Sequence, residues 1–319
     1  MIIKNGDIRN IALLTGDNGT GKSTVLKHDI NDCYKHTSDT IVIIDLYGEY
    51  TELVKSLGGT EIMFPHVFNP FHLDMSVSYI KAVTSVMVRN LCPFVGLAGH
   101  TGTEKDMLSQ LLYTHKCSDI DELREAAYLT KYDRYKGIGH LRNILNAFCE
   151  EDIFSKNSPS VDVASRIISF NLREVSYLLL PIAYACCIDI AGQLLSKEDK
   201  MIRLYLEDFT HVSCTYEIIR YFSKLVNESK KNHEIIVFVD SDLSNIRSVP
   251  GLHLELISSN AVVLVFHTIK PYFDILIKCG IIPRSLVSTI DFETMNYKSY
   301  QYAEIRSESL TIVPFKDWS

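Results

Sequence analysis

An α/β fold, with a mostly parallel sheet held between helices, is predicted by three observations. Short β-branched runs recur along the chain, helical stretches separate them, and a glycine-rich loop joins the first run to the first helix. Hydrophobic residues make up 46% and charged residues 22% of the 319, so a disordered or collagen-like chain is excluded. The formal net charge of −7 argues against a bulk nucleic-acid coat, because contact with phosphate backbones would need a local basic patch.

The elements follow in order. Residues 8–15 (IRNIALLT) form an apolar run that stops at the glycine-rich turn, and Lys22 to Asn31 then reads as a helix. Thr40 to Leu46 (TIVIIDL) is β-branched almost throughout, as expected of a strand buried on both faces of a parallel sheet. Similar runs recur at Ser165–Phe170, Met201–Leu206, Glu234–Val239 and Ala261–Phe266. Between Leu73 and about Asn157 such runs vanish. Met107, Leu111 and Leu112, then Leu141, Ile144, Leu145 and Phe148, instead show the three- and four-residue spacing of helices. The expected organisation is therefore an α/β domain from residues 1–72 and 158–319, interrupted by an all-α insertion over 73–157. The stretch from Tyr297 to Pro314 alternates and predicts a small C-terminal β-hairpin with Glu308 and Ser309 near its turn.

Val175 to Leu195 approaches the roughly 20 apolar residues of a membrane helix, but it carries Pro181, Asp189 and Gln193 and is expected to be a buried helix. The eight cysteines form no Cys-x-x-Cys pair, and His28, His36, His66 and His72 show no metal-ligand spacing. Reduced, buried thiols are expected. With no secretory pattern at the N-terminus, so is a cytoplasmic location.

Gly16-Asp17-Asn18-Gly19-Thr20-Gly21-Lys22-Ser23-Thr24 fits G-x-x-x-x-G-K-[ST] in full, after a strand and before a helix. Its glycines let successive backbone N–H groups turn toward phosphate oxygens, and the following helix adds its positive end. Lys22 is placed to meet the β- and γ-phosphates, and the Ser23 hydroxyl to hold Mg²⁺. These residues predict a P-loop NTPase of the RecA type. ATP is favoured over GTP, since no N/T-K-x-D guanine-reading element stands at a strand end.

Ile41 to Gly59 reads IVIIDLYGEYTELVKSLGG, and NPFHLD follows from Asn69. With the loop, this resembles the HerA/FtsK-like P-loop ATPases, most closely the VirB-type ATPases that energise type IV secretion and conjugative transfer. Asp45, Gly48, Glu49, Tyr50, Gly58, Gly59, Asn69, Pro70 and Phe71 match the family pattern, while the proline after its aspartate is Leu46 here. The resemblance covers the motor domain and not the N-terminal domain that family members carry. It implies an ATPase that uses ATP and Mg²⁺, a homo-oligomeric ring of six, and channel components of a secretion or conjugation system as partners. A peripheral position at the inner face of the membrane, through those partners, is implied as well. A HerA/FtsK-like DNA translocase is one alternative, although the chain's charge does not indicate DNA. The other is a nucleotide-gated structural subunit that binds ATP and hydrolyses it poorly.

Leu204 to Asp208 (LYLED) stands at the family's second acidic motif with the order of its acids reversed. The resemblance then assigns Glu207 to the metal and Asp208 to orienting the attacking water. Asp208 is one methylene shorter than the usual glutamate, which predicts slow hydrolysis with nucleotide binding intact. Glu49, just past the strand, is a further catalytic candidate. Lys230 stands near the family's Arg-Lys pair, and Asp240 or Ser241 takes the place of its phosphate-sensing Gln. Arg247, Arg284 and Arg306 are candidates for reaching a neighbour's nucleotide, with no motif to choose among them.

Overall fold

Largely apolar runs are buried on both sides when strands line up in parallel, and the inner parallel strands here behave so. The structure, a computed structural model, describes residues 1–5, 9–65, 68–71, 75–91, 101–130, 138–150, 152–156, 165–195, 201–212, 215–229, 234–241, 261–267, 270–289, 301–306 and 309–314. His66, His72, Lys230, Arg247 and Glu308 lie outside the described residues.

The first half runs β1 (Ile11–Thr15), α1 (Lys22–His36), β2 (Thr40–Asp45), α2 (Thr51–Ser56) and β3 (Thr60–Met63). Four helices come next: α3 (Val77–Leu91), α4 (Thr101–His115), α5 (Ile120–Leu129) and α6 (Ile138–Glu150). Then follow β4 (Ile167–Asn171), α7 (Leu180–Leu195), β5 (Ile202–Glu207), α8 (Phe209–Val212), α9 (Tyr216–Ser229) and β6 (Glu234–Asp240). The last elements are β7 (Val262–Val265), α10 (Lys270–Lys278), a 3₁₀ turn (Arg284–Thr289), β8 (Gln301–Arg306) and β9 (Ser309–Pro314).

The strands form one nine-stranded sheet in the order β3-β4-β2-β5-β6-β1-β7-β8-β9. Pairing is parallel from β3 through β7 and antiparallel for β7–β8 and β8–β9. The expected hairpin therefore exists, and it extends the sheet instead of standing apart from it.

Alternation along each strand sorts the side chains onto two faces. Ile41, Ile43, Tyr205, Val237 and Leu264 pack with α1, Tyr50 and Val54. Val42, Ile44, Leu206, Phe238 and Val265 pack on the other face with residues of α7, α8, α9 and α10. The four helices between β3 and β4 join this second face: Val83, Leu111, Leu123 and Leu145 belong to the same continuous apolar cluster. In α7, Ile182, Tyr184, Cys186 and Cys187 are buried. Among the described residues no helix is long and apolar enough to cross a membrane. The six described cysteines are free thiols, four of them buried.

Helix α1 runs to His36, five residues beyond the expected Asn31. The cause is a distant cap. Arg166, which precedes β4, donates to the carbonyls of Tyr34 (2.8 Å), Cys33 (3.2 Å) and Asp39 (3.0 Å), and to that of Thr37. A cation at the last carbonyls also opposes the negative end of the helix.

Behind the loop of residues 57–59, α2 meets β4 closely. A Cβ on Gly59 would lie 2.4 Å from Ile167 Cγ2 and 2.8 Å from the Ile167 carbonyl oxygen, whereas one on Gly58, at φ 67°, would meet nothing within 4 Å. Gly59→Ala is expected to cost about 3 kcal/mol, since the Ile167 backbone cannot yield cheaply. Gly58→Ala should cost only about 1 kcal/mol of left-handed backbone strain. Urea unfolding of the two variants would expose a wrong assignment as equal losses.

Candidate nucleotide site

The loop after β1 is shaped by what stands beside it. A Cβ on Gly16 would lie 2.6 Å from Phe266 Cβ and 3.0 Å from the His267 carbonyl oxygen, so only glycine fits there. The Asp17 N–H donates to the His267 carbonyl at 2.8 Å, and the Thr20 hydroxyl donates to the Asp17 carbonyl at 2.7 Å. These bonds tie the loop to the end of β7 and close it on itself. Lys22 Nζ donates to the carbonyls of Gly16 (2.7 Å) and Asp17 (2.9 Å) from a buried position. Burial lowers the Lys22 pKa, while the charges of Asp208, Asp240, Asp17 and Glu207 oppose the shift. Gly21 caps α1 without a side-chain hydrogen bond, so the amides of the first turn remain for a ligand's oxygens.

At the end of β2 the chain turns around one carboxylate. Asp45 Oδ1 accepts the N–H groups of Tyr47 (3.1 Å), Gly48 (2.7 Å) and Glu49 (3.1 Å), and Oδ2 accepts that of Tyr50 (3.0 Å). Burial raises the Asp45 pKa and the four amides pull it back. The turn aims two phenols at β5. Tyr50 donates to Glu207 Oε1 at 2.7 Å, and Tyr47 donates to Asp208 Oδ2. Burial and the neighbouring Asp208 hold the Tyr47 phenol well above its usual pKa, which keeps it a neutral donor.

The acidic pair occupies two different environments. Glu207 is 4% exposed, and its Oε2 is buried with no hydrogen-bond partner among the described residues. Burial, with the charge of Asp45, pushes its carboxyl up to about 8. Asp208 leaves the strand at φ 42°, a left-handed conformation that Asp tolerates better than most residues. Its N–H donates to the Val239 carbonyl at 2.7 Å, and its Oδ1 accepts from the Ser241 N–H (3.3 Å) and hydroxyl (3.2 Å).

Loop, turn and strand ends open on one cleft of about 590 Å³. Its walls are Asn18, Gly19, Gly21, Lys22, Ser23 and Thr24 from the loop, Tyr47 and Glu49 from the turn, Glu207 and Asp208 at the end of β5, and Val239 and Ser241 at the end of β6. Gly16, Asp17 and Thr20 shape the loop from behind without lining the cleft. Of the two residues expected at the sensing position, Ser241 lines the cleft, while Asp240 is buried and accepts the Thr210 N–H at 3.0 Å. Arg306 donates to Glu304 and, at 2.8 Å, to the Ile2 carbonyl, so it is engaged within its own chain. Arg284 is exposed. Tyr47 was not singled out from sequence. Its signal was its place between Asp45 and Gly48, in a turn that an aspartate organises.

A strand, glycine-rich loop and helix on a parallel sheet, with an acidic strand end two strands away, define the P-loop NTPase fold. The solved structures similar to this chain share it. VirB4 of Thermoanaerobacter pseudethanolicus matches with a TM-score of 0.77 and 15% identity, over 99% of this chain and 92% of that one. The bacterial conjugative coupling protein TrwB matches with a TM-score of 0.61 and 12% identity, over 99% of this chain and 87% of that one. TrwB solved with ADP and Mg²⁺ gives 0.60 and 12% over the same shares. No protein-family model and no curated sequence matches the chain.

The raised Glu207 pKa gives stability a direction in pH. Its folded value, about 8, lies above the ordinary 4.5, so the fold favours the protonated carboxyl. That contribution is whole below about pH 4.5 and is lost as pH rises toward 8. With chelator present, the melting temperature of the wild type should fall over this window more steeply than that of Glu207→Gln. Parallel curves would show that the carboxyl titrates normally.

Proposed function

We propose that this chain is an ATP-binding motor domain of the kind that energises conjugative transfer and type IV secretion, with Mg²⁺ as its metal. The observation that carries the reading is the single cleft on which the phosphate loop, the Asp45 turn and the acidic pair all open. The fold shared with VirB4 and TrwB supports it, as do the TrwB structures with ADP and Mg²⁺ and with the ATP analogue ADPNP.

In this reading residues 16–24 cradle the phosphates, and Lys22 exchanges its loop carbonyls for phosphate oxygens. Ser23 and Glu207 would hold Mg²⁺. The partnerless Glu207 Oε2 suits a hard cation that prefers oxygen ligands. Among the described residues no group of three or more His, Cys, Asp or Glu is placed to hold a metal unaided, so phosphate oxygens would complete the shell. Bound there, the ion supplies neutralisation of phosphate charge. Asp208 orients the attacking water from a short side chain, so turnover is slow while binding is intact. Glu49 adds a carboxylate on the cleft wall.

Residues 1–72 and 158–319 form the motor proper in this proposal, and 73–157 an insertion that contributes to its core. Assembly into a homo-oligomeric ring of six, secretion or conjugation channel components as partners, and a peripheral place at the inner membrane face belong to the same reading. Turnover measured with and without DNA separates it from a DNA translocase and from a non-hydrolysing subunit. Lys22→Ala should weaken binding of a labelled ATP analogue at least tenfold, a loss of about 1.4 kcal/mol or more. A folded variant with wild-type affinity would remove the nucleotide from this cleft.

A further inference from the structure

Asp208 is short for the task proposed for it, yet neither of its oxygens is loose. Oδ1 is held by the N–H and hydroxyl of Ser241, and Oδ2 by the Tyr47 phenol. We infer that Tyr47 is a positioning residue for hydrolysis, which pins the Asp208 carboxylate against Ser241 at the cleft wall; the inference rests on the nucleotide reading of the cleft.

Three features argue for it. The Asp208 backbone is fixed where β5 ends, by its left-handed φ and its N–H bond to Val239, so χ1 and χ2 are the remaining freedoms of the carboxylate. Bonds to both oxygens, from opposite walls, remove those freedoms. A water-orienting group misplaced by about 1 Å loses on the order of 10²-fold in rate, so restraint of this kind has kinetic weight. Next, the phenol is itself held, because the Tyr47 N–H donates to Asp45 in the turn that four amides lock. Finally, Tyr47 is 53% exposed and lines the cleft, so its hydroxyl serves the site more than the core.

The test uses the full chain, with steady-state ATP hydrolysis and binding of a fluorescent non-hydrolysable ATP analogue. Tyr47→Phe removes one hydroxyl and should lower kcat about tenfold, with KM and analogue affinity within about twofold. In an Asp208→Asn background the same change should have no further effect, because both act through one carboxylate. Ser241→Ala keeps the backbone donor and should give a smaller fall in kcat. The inference is overturned if Tyr47→Phe leaves kcat unchanged or raises it, if KM rises instead, or if the fall persists beside Asp208→Asn. A wild type that binds no analogue overturns the nucleotide reading and this inference together. One that binds without hydrolysing overturns the inference and leaves the binding site standing.

Discussion

One buried carboxylate holds the candidate site together. Asp45 has no exposed surface, and a carboxylate removed from water is costly unless donors meet its charge. Four backbone amides do so here, all from the five residues that follow it. Burial still outweighs them and holds the carboxyl above its usual range. What the bonds secure is the turn after β2. With that turn fixed, Tyr47 and Tyr50 reach different carboxylates at the end of β5, more than 150 positions along the chain.

The sheet explains why such distant residues meet. In β2, β5, β6 and β1, adjacent and parallel, every C-terminal end points to the same edge. The phosphate loop, the Asp45 turn, the acidic pair and Ser241 each lie at or just beyond one of those ends. Packing on both faces leaves the strands little freedom to slide, because a one-residue slip would exchange the side chains of the two clusters. The precision of the cleft is thus inherited from apolar alternation along strands that meet it only at their C-terminal ends.

What could be read from the amino-acid order follows the range of the interactions involved. The loop, the strands and the helical stretch are local patterns, and the residues that define them are neighbours in sequence. The end of α1 is not legible locally because its cap, Arg166, is supplied from before β4. β3 carries no strand signal because Thr60–Met63 is short and only partly buried, so it lacks the β-branched run of an inner strand. The grip of Tyr47 on Asp208 spans 161 positions and has no periodicity to announce it. The family-like segment located the turn; the fold alone disclosed which carboxylates its tyrosines hold. The helices between β3 and β4, legible as helices, gave no sign that their apolar faces would merge with one side of the sheet.

The capping of α1 by Arg166 bears on how the phosphate loop is anchored. A helix of 15 residues is a rod of about 22 Å. One end begins in the phosphate loop at Lys22, and the other is clasped by a guanidinium that also lies over the Tyr34 ring, 4.6 Å from its centroid. Arg166 leads directly into β4, which lies between β2 and β3 at the far side of the sheet from β7. The helix that begins in the phosphate loop is therefore tethered at its other end to the entry of a strand separated by three others from β1, the strand that feeds the loop. Loop and distant strand are thus anchored to one rigid element.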